Sequence, residues 1–294
     1  MSTSGLSLVD NSGQANNYSI ASASSDITQR PLNLSGSRAY DSTRTASGSD
    51  LSFTNIVSGE TLGLTGSGVL ASPAAGSRTI VNTNTLAISD GSGIASNYTL
   101  TNGTLTMTIV PRSTTVSGTK TYDGTTNVSS SNLTSFSNLA GSDTLSLSGT
   151  GTISSADVGT GKTVNTSGLT IDNSSGVGSN YTLSAATVNV TERVIGLSGV
   201  RAFDGTNNAS STDLSISNLV SGENLTLSGS GTLPNATVEM NKAITLGSLS
   251  ISDGSGGKSS NYTLTGGSHT LDISQLSVNV TGSRQYDGTK TVNT

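Results

Sequence analysis

Two short landmarks recur at a fixed step along the 294-residue chain, and that period constrains the fold more than any other feature. An aromatic followed by Asp stands at Tyr40-Asp41, Tyr122-Asp123-Gly124, Phe203-Asp204-Gly205 and Tyr286-Asp287-Gly288, at spacings of 82, 81 and 83 residues. Asn-Tyr pairs stand at Asn17-Tyr18, Asn97-Tyr98, Asn180-Tyr181 and Asn261-Tyr262, with the tyrosines 80, 83 and 81 apart. Two independent markers sharing one step define a tandem array with a unit of about 82 residues. Such an array draws its stability from each copy and from the contacts between neighbours.

Between the landmarks the copies read as strands and turns. Leu62-Gly63-Leu64-Thr65-Gly66-Ser67-Gly68 aligns with 145–151 and with 225–231, and the leucines alternate with small polar residues. Alternation at period two puts the leucines on the buried face of a sheet and the hydroxyls toward water. The same pattern recurs at Leu105-Met107-Ile109, Val188-Val190 and Leu276-Val278-Val280. Gly, with 36 residues, and Ser plus Thr, roughly a third of the chain, supply turns, while aromatics are 3% and Trp is absent. These ratios exclude long amphipathic helices and any single large core. The expected fold is all-β: a tandem array of small antiparallel β-sandwich repeats, Ig-like, forming an elongated rod.

The boundaries follow from the alignment. Residues 1–26 are the end of a copy, 27–108, 109–190 and 191–272 are complete copies, and 273–294 begin a further one. Met1 aligns with Val81 and Val164, interior strand positions, so the chain is expected to be a piece of a longer array. No Pro/Gly/Ser linker separates the copies. Instead Thr187–Leu197 keeps strand character, so the last strand of one copy is expected to feed the first strand of the next.

Charge and composition exclude several functions. A net charge of −5 without a basic run disfavours nucleic acid. Zero Cys removes disulfides, thiolate metal sites and cysteine nucleophiles. No stretch approaches 18 apolar residues, so no membrane-inserting segment is expected.

Thr121-Tyr122-Asp123-Gly124-Thr125-Thr126, the Leu-Ser-Gly-Thr-Gly segment, Asp157–Val164 and Ser179-Asn180-Tyr181-Thr182-Leu183 together resemble the YDG domain. The resemblance covers essentially the whole chain. It implies the tandem β-rich repeats of large secreted bacterial adhesins of the filamentous-haemagglutinin type: an extracellular, surface- or matrix-bound stalk rather than an enzyme. A partner such as a cell-surface or matrix polysaccharide or glycoprotein would then be engaged by a part outside this chain. Two departures stand out, Ser42 in place of Gly and Phe203 in place of Tyr. The second marks the phenol hydroxyl as dispensable for chemistry.

Read from the residues, the aromatic-Asp-Gly-Thr step is a buried ring at a strand end followed by a turn. There Asp accepts backbone N–H groups and Gly takes positive φ. The Asn before Tyr98, Tyr181 and Tyr262 is expected to bond neighbouring backbone while the ring covers one end of the core. The segment Ala156–Thr163 mimics a phosphate loop but lacks its first Gly, and the basic position recurs as Arg78, Lys162 and Lys242. Those three read as solvated edge charges that discourage sheet-to-sheet association. Asp90, Asp172 and Asp253, before each Asn-Tyr, are weak calcium candidates, because one carboxylate per loop falls short of the six to eight oxygens calcium needs. No other cofactor is expected. His269, the only histidine, reads as an exposed loop residue rather than a general base. The competing function is that the repeats themselves bind carbohydrate or host glycoprotein, which would require accessible rings at Tyr98, Tyr181 or Tyr262.

Overall fold

A computed structural model describes residues 3–286 and 288. The chain is all-β, and the only helices among the described residues are three-residue 3-10 turns such as Ala95–Asn97 and Gly178–Asn180.

In the first copy six strands form one sheet in the order Thr45–Ser47, Ser67–Leu70, Gly76–Asn82, Thr106–Val110, Leu34–Ala39, Leu51–Phe53. A second, two-stranded sheet pairs Leu62–Thr65 with Ala87–Asp90. Leu34, Met107, Ile109 and Leu70 are buried between them, with Leu64 half-buried against the same core. In the third copy Leu214–Ser217, Gly196–Ala202, His269–Ser274 and Glu239–Ala243 form a four-stranded sheet. Leu225–Ser228 pairs with Ser250–Asp253, and the Leu-x-Leu residues again sit half-buried with hydroxyls exposed between them. The second copy has the corresponding four-stranded sheet, ordered Leu133–Ser137, Arg112–Thr121, Tyr181–Thr191, Gly159–Val164.

Parallel pairings depart from the expected antiparallel pattern, among them Arg30–Pro31 with Tyr98–Thr99 and Arg193–Val194 with Tyr262–Thr263. The first long strand lies parallel to the last, as Leu34–Ala39 does to Thr106–Val110 and Gly196–Ala202 does to His269–Ser274. The sheets are therefore mixed. A tandem unit needs this arrangement, because parallel first and last strands bring the chain in at one end of a copy and out at the other. The continuation is direct: only Pro111 separates Thr106–Val110 from Arg112–Thr121, and only Glu192 separates Tyr181–Thr191 from Arg193–Val194.

A glycine recurs in that first strand at Gly36, Gly118 and Gly199. A Cβ on Gly118 would lie 1.7 Å from the Asn132 carbonyl oxygen, at the foot of a 3-10 turn, and the other two copies repeat the close approach. The turn can pack across the strand only where no side chain intervenes.

The chain falls into two compact units that cut across the copies. One comprises 1–114, 138–145 and 171–182, and the other 115–137, 146–170 and 183–294. The loop segments 138–145 and 171–182 of the second copy thus pack with the first copy. Leu276, Val278 and Val280, expected in a strand, are exposed and unpaired. The counterparts of Val280, Val116 and Leu197, are buried by strands that follow them in sequence, whereas among the described residues no strand follows His269–Ser274.

Candidate functional site

The landmark residues converge where one copy meets the next, once inside each compact unit. In the first unit Tyr40 and Tyr181 pack edge to face, ring centroids 5.4 Å apart at 76°. Both phenols donate to one carboxylate oxygen of Asp143, Tyr181 at 2.6 Å and Tyr40 at 3.0 Å. In the second unit Tyr122 and Tyr262 pack at 5.4 Å and 79°. Tyr122 donates to Glu223 Oε1 at 2.6 Å and Tyr262 to Glu223 Oε2 at 2.7 Å. Each acid belongs to the same copy as its Asn-Tyr tyrosine and takes its second phenol from the copy before. All four rings are buried.

The Asn-Tyr tyrosine is held from both sides. Its hydroxyl accepts the N–H of Ala140 in the second copy (3.0 Å) and of Val220 in the third (3.1 Å), which leaves its proton for the carboxylate. Burial first, and the donated bond to the acid second, push the Tyr181 phenol up to about 12 and raise Tyr122 as well. The phenols therefore stay neutral donors to an anion at ordinary pH, and hydrogen bonds to a charged group are the stronger kind.

The preceding Asn reaches across as well. Asn180 Oδ1 accepts the Ala75 N–H at 2.8 Å, and Asn261 Oδ1 accepts the Val158 N–H at 2.9 Å. The expectation that this Asn bonds neighbouring backbone is corrected in one respect: the backbone is that of the previous copy, about 105 residues away. Asn261 Nδ2 also donates to Asp157, and Lys258 pairs with the same carboxylate. These bonds, Asn261 first, hold Asp157 at about 2. Asn97, by contrast, is exposed, and Tyr98 donates only to Glu60 within its own copy.

The Asp of the first three aromatic-Asp steps behaves as expected. Asp41, Asp123 and Asp204 accept the backbone N–H and hydroxyl of Thr43, Thr125 and Thr206. Gly124 and Gly205 take φ of +75° and +81°, and Ser42 is forced to +66°. A basic residue three positions upstream, not singled out from sequence, closes the turn: Arg38, Lys120 and Arg201 pair with these aspartates. Thr206 first and Arg201 second keep Asp204 at about 2. The turn meets the next copy. A Cβ on Gly124 would lie 2.7 Å from Val220, and at the preceding interface a Cβ on Gly141 would lie 2.8 Å from Ser42 Oγ. Side-chain volume is exchanged across the contact.

Other candidates resolve differently. Phe203, expected to be buried, is 38% exposed, and its missing hydroxyl leaves no acid unserved among the described residues. Where the ring is covered, the hydroxyl is used for binding. Tyr18 and Tyr286 are exposed, and Gly288 takes positive φ with nothing near it. Asp287 lies outside the described residues. Asp90 and Asp253 accept the N–H of Ala95 and Ser259, and in the second copy this role falls to Asn173 rather than to Asp172. A neutral amide serving in that place shows that the turn does not need the charge. Among the described residues no group of three or more His, Asp or Glu could hold a metal.

Arg78, Lys162 and Lys242 are not solvated edge charges. Each folds back onto its own loop, Arg78 donating to the Ala74 carbonyl and Lys162 to that of Ser155. Buried Lys242 donates to Asn235, Thr237 and Glu239. Loop carbonyls concentrated at one point attract a cation, which is the physical reason for the conserved sign across the copies. His269 is a half-buried strand residue whose Nε2 lies 2.8 Å from the Leu264 carbonyl, not an exposed loop residue.

Glu60, Asp143 and Glu223 escaped the sequence reading although they repeat at 83 and 80 residues. The step was the available signal, obscured by the change between Asp and Glu.

These features define a tandem β-repeat protein whose recurring residues serve the contact between copies. Comparison with protein families matches the YDG domain three times, over residues 28–108, 104–189 and 191–270, and the chain belongs to this family. No curated protein and no solved structure matches it.

Proposed function

We propose that the chain is a run of spacer repeats from the stalk of a bacterial surface or biofilm-matrix adhesin. It is extracellular, non-enzymatic and without a cofactor, and it holds a binding tip away from the cell. The observation carrying this reading is the phenol-carboxylate-phenol contact built into both copy-to-copy interfaces. It spends the chain's recurring aromatic and acidic groups on rigid serial connection. Copies joined by one residue, with buried rings and charge-assisted bonds at each contact, resist bending and extension, as a spacer must. The alternative, direct binding of carbohydrate by the repeats, loses its expected platform, since Tyr98, Tyr181 and Tyr262 are buried.

Small-angle X-ray scattering tests the stalk. A rod of three copies gives a radius of gyration of roughly 35 Å, against about 19 Å for a compact chain of this length. The expected result is the larger value, unchanged by a calcium chelator. The smaller value overturns the spacer reading, and extension that requires calcium overturns its cofactor-free form.

A further inference from the structure

Two side chains set the third copy apart from the other two, and both contact the same buried lysine. In the first and second copies the loop before the inward-turned cation holds Ser72 and Ser155, each Oγ accepting the backbone N–H two residues on at 3.2 Å. Asn235 stands in that place in the third copy and keeps the bond, its Oδ1 accepting the Thr237 N–H at 3.1 Å. The change adds a carboxamide carbon, an electrophile. Gly76 and Gly159 pair with Ile109 and Val190 of the adjoining strand, and at the equivalent register the third copy has Glu239 opposite Ile273. A Cβ on Gly76 or Gly159 would lie 3.3 or 2.9 Å from the side chain of Arg78 or Lys162, so this position faces the cation in every copy. The second change therefore sets a carboxylate against it. Lys242, 4% exposed, reaches both newcomers: Nζ donates to Asn235 Oδ1 and, at 3.0 Å, to Glu239 Oε2. Neither is needed to turn the cation inward, because Lys162 folds back onto the Ser155 carbonyl without them.

We propose that Lys242 and Asn235 join in an intramolecular isopeptide bond, with Glu239 carrying the proton. Glu239 takes a proton from the Lys242 ammonium and frees the lone pair of Nζ. Nζ attacks Asn235 Cγ, one bond from the oxygen it already contacts, and the carbonyl π pair moves onto Oδ1. There the Thr237 N–H at 3.1 Å and the Thr237 hydroxyl at 2.5 Å stabilise the developing charge. Nδ2 accepts the proton held by Glu239, the Cγ–Nδ2 bond breaks, and the departing ammonia takes the surplus proton from Nζ. A lysine ammonium and a carboxamide thus become a secondary amide and one ammonium ion, with no change of oxidation state and Glu239 again a carboxylate. The fold holds all three groups together, so the reaction is unimolecular and needs no second protein. The bond ties the 235–242 loop to its own strand, and the inference holds whether or not the chain is a stalk.

Intact-mass spectrometry of the full chain tests this. The expected mass is lower by one ammonia than the sequence requires, and tandem spectra of a digest join the peptide containing Asn235 to the peptide containing Lys242. Lys242→Arg and Asn235→Ser bring in the residue types that Arg78 and Ser155 supply in the other copies, so both are expected to fold and to show the full mass. Glu239→Gln removes the proton acceptor and is expected to slow the loss about a hundredfold or more. The full mass in the unaltered chain after prolonged incubation overturns the proposal. A loss of ammonia that persists in Lys242→Arg overturns it equally, since a succinimide, such as one at Asn102-Gly103, would then be the source. Loss at the unaltered rate in Glu239→Gln overturns the part given to that carboxylate.

Discussion

Tyr181 concentrates several roles in one side chain: it fills the core, accepts the Ala140 N–H and supplies one of two phenols to Asp143. Tyr181→Ala is expected to lower the stability of its unit by about 3–5 kcal/mol, the range for truncated buried aromatics, read by chemical denaturation. The turn glycines allow a cleaner comparison within one unit. Gly124 and Gly205 share positive φ, so alanine strains both backbones alike. Only Gly124 faces a neighbour, with Val220 2.7 Å from the added methyl. Gly124→Ala is therefore expected to cost about 1–3 kcal/mol more than Gly205→Ala, the usual penalty of overpacking. Equal losses would mean that the turn does not bear on the next copy. At this scale the sequence was largely legible, because an aromatic-Asp-Gly-Thr turn is specified by bonds two residues apart. The acids were not, because the Tyr40 phenol finds Asp143 at a separation of 103 residues.

At the scale of elements, the first strand of each copy is shaped by what crosses it. Gly118 admits the Asn132 carbonyl, and no rotamer relieves a backbone clash. Gly118→Ala is expected to destabilise its unit by about 2–4 kcal/mol, near the top of the single-substitution range, in thermal melts. Gly161→Ala, where nothing lies within 4 Å, is the control and is expected to lose only the backbone cost of its positive φ. Strand positions followed from the alternation of leucines and valines. The parallel pairing of first and last strands did not, since alternation marks a buried face without stating which neighbour, in which direction, covers it.

Across the whole molecule the aspartates and the buried phenols carry opposite pH signatures. Asp157 and Asp204 sit at about 2, below the ordinary 3.8. Their contribution is complete above that ordinary value and is lost as pH falls toward 2, so melting temperature is expected to drop over this window. Asp157→Asn, which keeps an acceptor for Asn261 but loses the Lys258 charge, is expected to flatten the drop. On the alkaline side the Tyr181 phenol is raised from 10 to about 12. Its contribution is whole below pH 10 and disappears as pH rises through about 12, so loss of the native fold is expected to coincide with late tyrosinate absorbance. Ionisation of every tyrosine without unfolding would contradict the buried phenol-carboxylate contacts.

The sequence by itself determined the all-β class, the step of about 82 residues, the burial of Tyr40, Tyr98, Tyr122, Tyr181 and Tyr262, and the turn chemistry. Each of these is decided by residues close together in the chain, through backbone preference, side-chain alternation and bonds across a turn. Only the tertiary structure decided that Tyr40, Tyr122, Asn180 and Asn261 are parts of interfaces and that Asp143 and Glu223 receive the phenols there. It also turned Arg78, Lys162 and Lys242 inward onto loop carbonyls. The reason is physical: a carboxylate shared by two phenols, or a cation among carbonyls, exists only after separate segments have docked, and local sequence carries no record of which segment arrives.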